Sequence, residues 1–160
     1  MKVAIVMGSL SDRKLGDKVI GILDKFGVDY EIRVISAHRT PYTAFEFAKK
    51  AEERGIEVII AIAGKAAHLA GVMAGVTHLP VIGIPAKSST MDGLDSLLSI
   101  VQMPKGVPVA TVAIDGGENG ALLAVQMLSL KYPELKEKLK EYKRELAKDV
   151  AEMDKTIQEK

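Results

Sequence analysis

The chain carries three histidines and no cysteine, and this alone narrows its reactive chemistry. Disulfides, thiolate nucleophiles and cysteine-ligated metals are excluded. A histidine can still exchange a proton near neutral pH, its unperturbed pKa being about 6.5. His38 is the most pointed of the three, because it stands in Ser36-Ala37-His38-Arg39 beside an arginine. A guanidinium keeps its charge and engages phosphate through several directed donors. Neighbouring side chains face different ways, so Arg39 can hold an anion while His38 meets a reacting group. The competing reading is a solvated loop in which Ser36 or Thr40 caps a helix.

Two further polar clusters have the right residue types. Gly8-Ser9-Leu10-Ser11-Asp12 can offer backbone N–H groups and hydroxyls to a phosphate at a helix start. Asp12 either holds ribose hydroxyls or caps that helix. This turn has neither the glycine spacing of a dinucleotide fingerprint nor the Gly-Lys-Ser/Thr ending of a phosphate loop, so a small phosphorylated sugar fits better than NAD or ATP. The second cluster is Gly64-Lys65-Ala66-Ala67-His68-Leu69. There Lys65 attracts a carboxylate or faces solvent, and His68 either bonds to backbone or takes part in chemistry. His78, ahead of Leu79-Pro80, reads as capping or packing. Without a carboxylate constellation around them, the histidines make no convincing metal site.

Each cluster follows a run that reads as a strand. Val3–Met7 precedes the first, Tyr30–Ile35 the second and Val58–Ala63 the third. Val81–Ile84 and Val109–Ile114 complete five strands. Helices are predicted between them: one carrying Leu15, Val19, Leu23 and Phe26 and closed by Gly27, one from Pro41 to Gly55 capped by Thr40, and one over Ala66–Val76. Two more follow, over Asp92–Ile100 and around Leu122–Leu128. Strands alternating with helices predict a three-layer α/β/α fold with a doubly wound, flavodoxin-like parallel sheet, and the preferred strand order is 2-1-3-4-5. In that order the first and third strands flank the point where the winding reverses, and the three clusters meet at the carboxyl edge. The Ser88–Gly93 stretch is a lid or a capped turn, and Gln102–Gly106 a further cleft wall.

At 160 residues the chain suits one such domain, predicted over residues 1–132. Residues 133–160 form a C-terminal helical extension whose stripe of Leu135, Leu139, Tyr142, Leu146, Val150, Met153 and Ile157 needs a surface to cover it. That surface is the chain's own sheet or a neighbouring subunit. Apolar residues make up 48% and aromatics 4%, so the core must be aliphatic. A formal net charge of +1 with no basic block argues against nucleic acid as a partner. No stretch approaches the ~18 apolar residues of a membrane span, and MKVAIVMGS is a strand leading into a turn rather than a signal peptide. A cytoplasmic enzyme is expected.

The ordered combination of Met7-Gly8-Ser9-Leu10-Ser11-Asp12, Ser36-Ala37-His38-Arg39-Thr40-Pro41 and Ala63-Gly64-Lys65-Ala66-Ala67-His68-Leu69, extended by Asp95–Pro104, resembles the N5-carboxyaminoimidazole ribonucleotide mutase and aminoimidazole ribonucleotide carboxylase family. The resemblance covers roughly residues 2 to 130. It implies a homo-octamer whose active sites are bordered by more than one subunit. The implied substrate is a phosphorylated aminoimidazole ribonucleotide, with carbon dioxide as a transient partner and no cofactor. His38 would be the acid–base residue. Ser9, Ser11, Asp12, Ser36 and Arg39, with Gly8 and Ala37 in the same turns, would hold the ribose phosphate. Gly64, Lys65, Ala66, Ala67, His68 and Leu69 would shape the pocket for the carboxyl group. The Ser88–Gly93 and Met103–Gly106 turns would help enclose it.

Within that family, Ala66-Ala67-His68 is similar to the mutase branch, which lacks the Ser-Asn pair of the carboxylases. Lys65 stands where the mutases usually have glycine, and Ala70 where they have proline; a basic residue at that point is closer to the carboxylase branch. The expectation is therefore a mutase, with a carboxylase using free carbon dioxide as the first alternative. A noncatalytic nucleotide-binding module is the second. A receiver-type signalling domain would need an acceptor Asp after the third strand, where this chain has Ala63-Gly64-Lys65.

Overall fold

The aliphatic runs become strands, and the amphipathic stretches between them become helices. In the computed structural model, which describes residues 1–159, the chain runs β1 (Lys2–Met7), α1 (Arg13–Phe26), β2 (Asp29–Val34), α2 (Pro41–Lys49), β3 (Val58–Gly64), α3 (Leu69–Ala74), β4 (Val81–Ala86), α4 (Leu94–Val101), β5 (Ala110–Thr111), α5 (Gly117–Leu128) and α6 (Pro133–Gln158). All strand pairs are parallel, in the order β2-β1-β3-β4-β5. The expected flavodoxin-like order is the one found.

Side chains alternate between the faces of a strand, and here both faces are covered. Val3, Ile5 and Met7 join Val58, Ile60 and Ile62 in one core beneath α1 and α5, where Val19, Leu23, Phe26, Ala121, Ala124 and Val125 are buried. Ala4, Val6, Ile59, Ala61 and Ala63 face the other core with Phe47, Leu69, Met73 and Ile100 from α2, α3 and α4. Each fully buried aliphatic side chain contributes about 1.5–3 kcal/mol. Close approach of α4 depends on Gly83 in the middle of β4. A Cβ there would collide with Ile100 and lie 3.1 Å from Val109 Cγ1.

Three elements differ most from the expected bounds, each for a local reason, while others shift by one or two residues at an end. The second helix ends at Lys49; a separate 3-10 turn, Glu52–Arg54, then leads to Gly55 at φ 74°. The third helix begins at Leu69 instead of Ala66, because Lys65 adopts φ 57° and two tight turns follow, with Ala67 N–H donating to Lys65 O and His68 N–H to Ala66 O. The fifth strand is two residues long, not six. Pro85 O accepts from Asp115 N–H at 2.9 Å, so Pro85 faces the β5 side, and its nitrogen has no hydrogen to continue the ladder.

The first half of α6 is fastened to the domain. Leu135 is buried, Phe26 and Tyr142 meet edge to face at 5.7 Å, and Lys138 Nζ donates to Phe26 O at 2.7 Å. Lys25 and Glu145 form an ion pair at 2.7 Å. Beyond it the stripe of Leu146, Val150, Met153 and Ile157 is exposed.

Candidate active site

The carboxyl ends of four strands open onto one cleft of about 710 Å³. From the β1–α1 turn come Gly8, Ser9, Ser11 and Asp12; from the β2–α2 loop, Ser36, Ala37, His38 and Arg39. The β3–α3 loop supplies Gly64, Lys65, Ala66, His68 and Leu69. The three expected clusters thus meet where the winding of the sheet reverses. The loops are drawn together by backbone bonds that prolong the sheet: Gly8 N–H donates to Ile62 O and Ile35 N–H to Met7 O, both at 2.9 Å.

Each loop is braced internally. In the first, Ser9 caps a 3-10 turn, Leu10–Asp12, by a reciprocal box: its Oγ accepts from Ser11 N–H, and Asp12 Oδ2 accepts from Ser9 N–H at 3.2 Å. Asp12 therefore does cap, on the 3-10 turn, and gives α1 no side-chain bond. Half-burial raises its pKa above the ordinary carboxylate value, while bonds from the Ser9 N–H and Ser11 hydroxyl pull it back. In the second loop Thr40 Oγ1 donates to Ser36 O at 2.9 Å and accepts from Ser36 N–H at 3.2 Å. Thr40 thus makes no cap bond to α2, contrary to the expected cap, because its hydroxyl is engaged in closing the loop.

Arg39 spans two loops. Its Nε donates to Ser36 Oγ at 3.3 Å and its Nη2 to Gly8 O at 3.3 Å, which turns the guanidinium toward the first cluster. His38 faces the third loop, where its Nε2 lies 2.9 Å from His68 Nδ1. The neighbouring residues accordingly point to different ends of the cleft. Lys65 is exposed on the rim and held in the left-handed region that favours glycine.

Among the residues expected to hold the phosphate or shape the carboxyl pocket, Ala67 alone does not line the cleft. Its side chain is 1% exposed and packs beneath the loop with Leu69 and Ala70. Lys87, Ser88 and Ser89, after β4, supply a fourth wall. Lys87 was not singled out from the sequence, although the rule that found the other loops, polar residues just past a strand, applies to it equally. Ser88 Oγ bonds both oxygens of Asp95 at 2.9 Å, and Lys87 Nζ pairs with Asp92 at 3.2 Å, so this segment is tied to α4. The 103–106 turn is not among the lining residues. His78 precedes β4 at the opposite edge of the sheet, and Glu118 pairs with Lys18.

Three cations, Arg39, Lys65 and Lys87, surround the cleft against one carboxylate, Asp12. Among the described residues no three His, Asp or Glu side chains gather as metal ligands. The cleft offers an anionic ligand the Arg39 guanidinium with hydroxyls at one end and a histidine pair beside Lys65 at the other.

Known proteins resemble this chain over nearly its whole length. Residues 2–149 match the family described as AIR carboxylase. The N5-carboxyaminoimidazole ribonucleotide mutase of Pyrococcus horikoshii is 60% identical over 157 residues, covering 98% of this chain and 89% of its own. That of Thermotoga maritima is 60% identical over 151 residues, covering 94% and 88%. The crystal structure of Treponema denticola PurE superposes with a TM-score of 0.86 at 32% identity, covering 97% of each chain.

Proposed function

The chain belongs to the AIR carboxylase family, and from that premise we propose that it is an isomerase of purine biosynthesis, converting N5-carboxyaminoimidazole ribonucleotide to 4-carboxy-5-aminoimidazole ribonucleotide. The identity of about three residues in five with mutases over nearly the whole chain carries this reading. The two-ended cleft supports it. A ribonucleotide with a phosphate at one end and a carboxyl group at the other matches a guanidinium among hydroxyls at one wall and a histidine pair beside a lysine at the opposite one.

In this reading Arg39, Ser36, Ser9, Ser11 and the Gly8 turn hold the phosphate, Asp12 meets the ribose, and Ala37 packs beside it. Binding energy spent there orients the imidazole against His38. The reaction moves one carboxyl group and one proton. As the bond between the amino nitrogen and the carboxyl carbon breaks, its electron pair stays on nitrogen, His38 delivers a proton there, and carbon dioxide is released. The ring then attacks carbon dioxide through C4, and His38 removes the C4 proton to restore aromaticity. Gly64, Ala66, Ala67, His68 and Leu69 shape the small space in which carbon dioxide is retained between the two steps. Retention supplies effective concentration, which is worth several kcal/mol in well-oriented intramolecular reactions. Lys65 stands at the mouth of that space to hold the migrating carboxylate. The enzyme acts in the cytoplasm, with no cofactor, as a homo-octamer in which the exposed half of α6 packs on a neighbouring subunit.

The rival reading, a carboxylase that takes carbon dioxide from solution, is favoured by one feature: the charge of Lys65 on the open rim. Nitrogen-carboxylated substrate incubated with excess isotopically labelled bicarbonate separates the two. Early product that keeps its unlabelled carboxyl group is expected. Labelled product formed efficiently from the uncarboxylated ribonucleotide, with poor use of the nitrogen-carboxylated isomer, would establish the carboxylase instead. Binding of both isomers without turnover would leave only a nucleotide-binding module.

A further inference from the structure

The contact between His38 and His68 constrains the chemistry more tightly than the presence of either residue. Their nitrogens lie 2.9 Å apart and their rings are nearly perpendicular, with an interplanar angle of 87° and centroids 5.0 Å apart. The residues come from different loops, thirty positions apart, and both loops are fixed independently. Ser36, Thr40 and Arg39 bond among themselves beneath His38. His68 lies between buried Ala67 and Leu69, donates its N–H to Ala66 O, and accepts Val72 N–H at the start of α3.

Two imidazole nitrogens at this separation need one proton between them. With none, two lone pairs oppose each other; with two, two N–H groups do. The pair has four ring nitrogens. It therefore holds two protons when neutral and three when charged, and a fourth would break the contact. The other charged groups of the cleft are Arg39 on the same loop, Lys65 beside His68, Lys87 after β4 and Asp12 after β1. None of them lies in the short contact.

We propose that His68 is a positioning residue that fixes the tautomer of His38: His38 keeps its proton on Nε2, donating it to His68 Nδ1, so that Nδ1 of His38 is the one nitrogen that exchanges with substrate. This deepens, and rests on, the acid–base role proposed above for His38. The reaction needs the same group to give a proton to the amino nitrogen and later to take one from C4. Starting from the charged pair, His38 Nδ1–H transfers its proton as carbon dioxide departs. Nε2–H remains bound to His68, so the lone pair left on Nδ1 already faces the ring. After the new bond to C4 forms, that lone pair takes the C4 proton, the electrons of the C–H bond return to the ring, and the charged pair is restored. A neutral His38 without its partner is free to carry its single proton on Nδ1, where it has no lone pair to offer.

Two replacements of His68 distinguish this role from simple packing. Asparagine places an amide oxygen near the position of Nδ1, able to accept from His38, whereas leucine keeps bulk and accepts nothing. We expect His68→Leu to lower kcat about tenfold or more, with KM changed by less than about twofold, and His68→Asn to recover most of the loss; His38→Asn should lose at least about 100-fold, the usual scale of acid–base catalysis. In substrate-free protein labelled with nitrogen-15 in histidine, ring correlations should show neutral His38 protonated on Nε2 in the wild type and in His68→Asn. In His68→Leu they should show a mixture of tautomers. An unaltered tautomer in His68→Leu, or His68→Asn no better than His68→Leu, would overturn the proposal. So would a leucine variant whose only defect is leakage of labelled bicarbonate into product. The spectra need no turnover. A wild type that shows the fixed tautomer yet interconverts no isomers would instead overturn the enzymatic reading.

Discussion

Arg39 reaches across two loops, and its loss should be felt as affinity rather than as fold. In the free protein it holds Ser36 Oγ and Gly8 O; in the proposed complex the same donors turn to phosphate. Charged hydrogen bonds are worth about 1.5–3 kcal/mol each, so Arg39→Ala should weaken binding of the phosphorylated ligand by about 10- to 100-fold. Calorimetric titration of wild type and variant checks this, and equal affinities would remove Arg39 from the phosphate site. His38 and Arg39 were legible in the sequence because a proton-exchanging group beside a fixed cation, just past a strand, carries its chemistry in its residue types. The His38–His68 bond was not. It depends on the angle between two loops and on rotamers that no spacing rule encodes. Ala67 marks the opposite limit: among several small residues, period and type do not say which one turns inward.

At the scale of elements, the strands and helices were legible where both periodicity and punctuation agreed, and less so where a single residue overrode them. Pro85 shortened β5 from across the sheet, an effect invisible within the β5 segment itself. Lys65 at φ 57° delayed α3, because lysine carries no signal for a left-handed turn. Glu57, just before β3, shows how an element is anchored. It accepts Lys131 Nζ at 2.7 Å and Tyr132 Oη at 2.8 Å, pinning the junction of α5 and α6 to the sheet. Burial pushes its pKa up, but these bonds and the Lys131 charge outweigh it, and the net direction is below the ordinary 4.5. A depressed carboxylate contributes stability that is present above its unfolded pKa and is lost as pH falls through the folded one. Lys131 is largely exposed, so solvent screens the pair and its contribution is small. Glu57→Gln should therefore lower the urea midpoint slightly at pH 7. The difference should shrink steadily below about pH 4.5 and vanish once both proteins carry a neutral group there. A pH-independent difference would mean that packing, not charge, is what the substitution removed.

For the whole molecule, the order of the sheet followed from alternating elements and right-handed crossovers, and so did the meeting of distant loops in one cleft. The course of the tail did not, since a regular apolar stripe looks the same whether it covers its own domain or a neighbour. The structure divides it. Leu135 through Glu145 is docked, while Leu146, Val150, Met153 and Ile157 are exposed. Removing residues 146 to 160 should accordingly disrupt the proposed octamer while leaving the unfolding free energy of the subunit in urea within about 0.5 kcal/mol of wild type, the usual range for changes remote from the core. Light scattering and circular dichroism on the truncated protein check both halves. Full retention of assembly would show that the exposed stripe is not an interface.

The shortness of β5 has a bearing on how copies of this chain can meet. A sheet grows by offering unpaired backbone at an edge. Here one edge offers two paired residues beside a proline, and the other, β2, carries Asp29, Glu31 and Arg33, with Glu31 tied to Lys2, Arg33 and Arg54. Neither edge makes a good template for another chain's backbone, so strand-by-strand propagation into filaments is blocked at both ends. Contact between copies is left to helix surfaces, where side-chain shape dictates the angle of approach. An assembly joined that way can close on itself and stop growing, whereas one joined by strands has no inherent end.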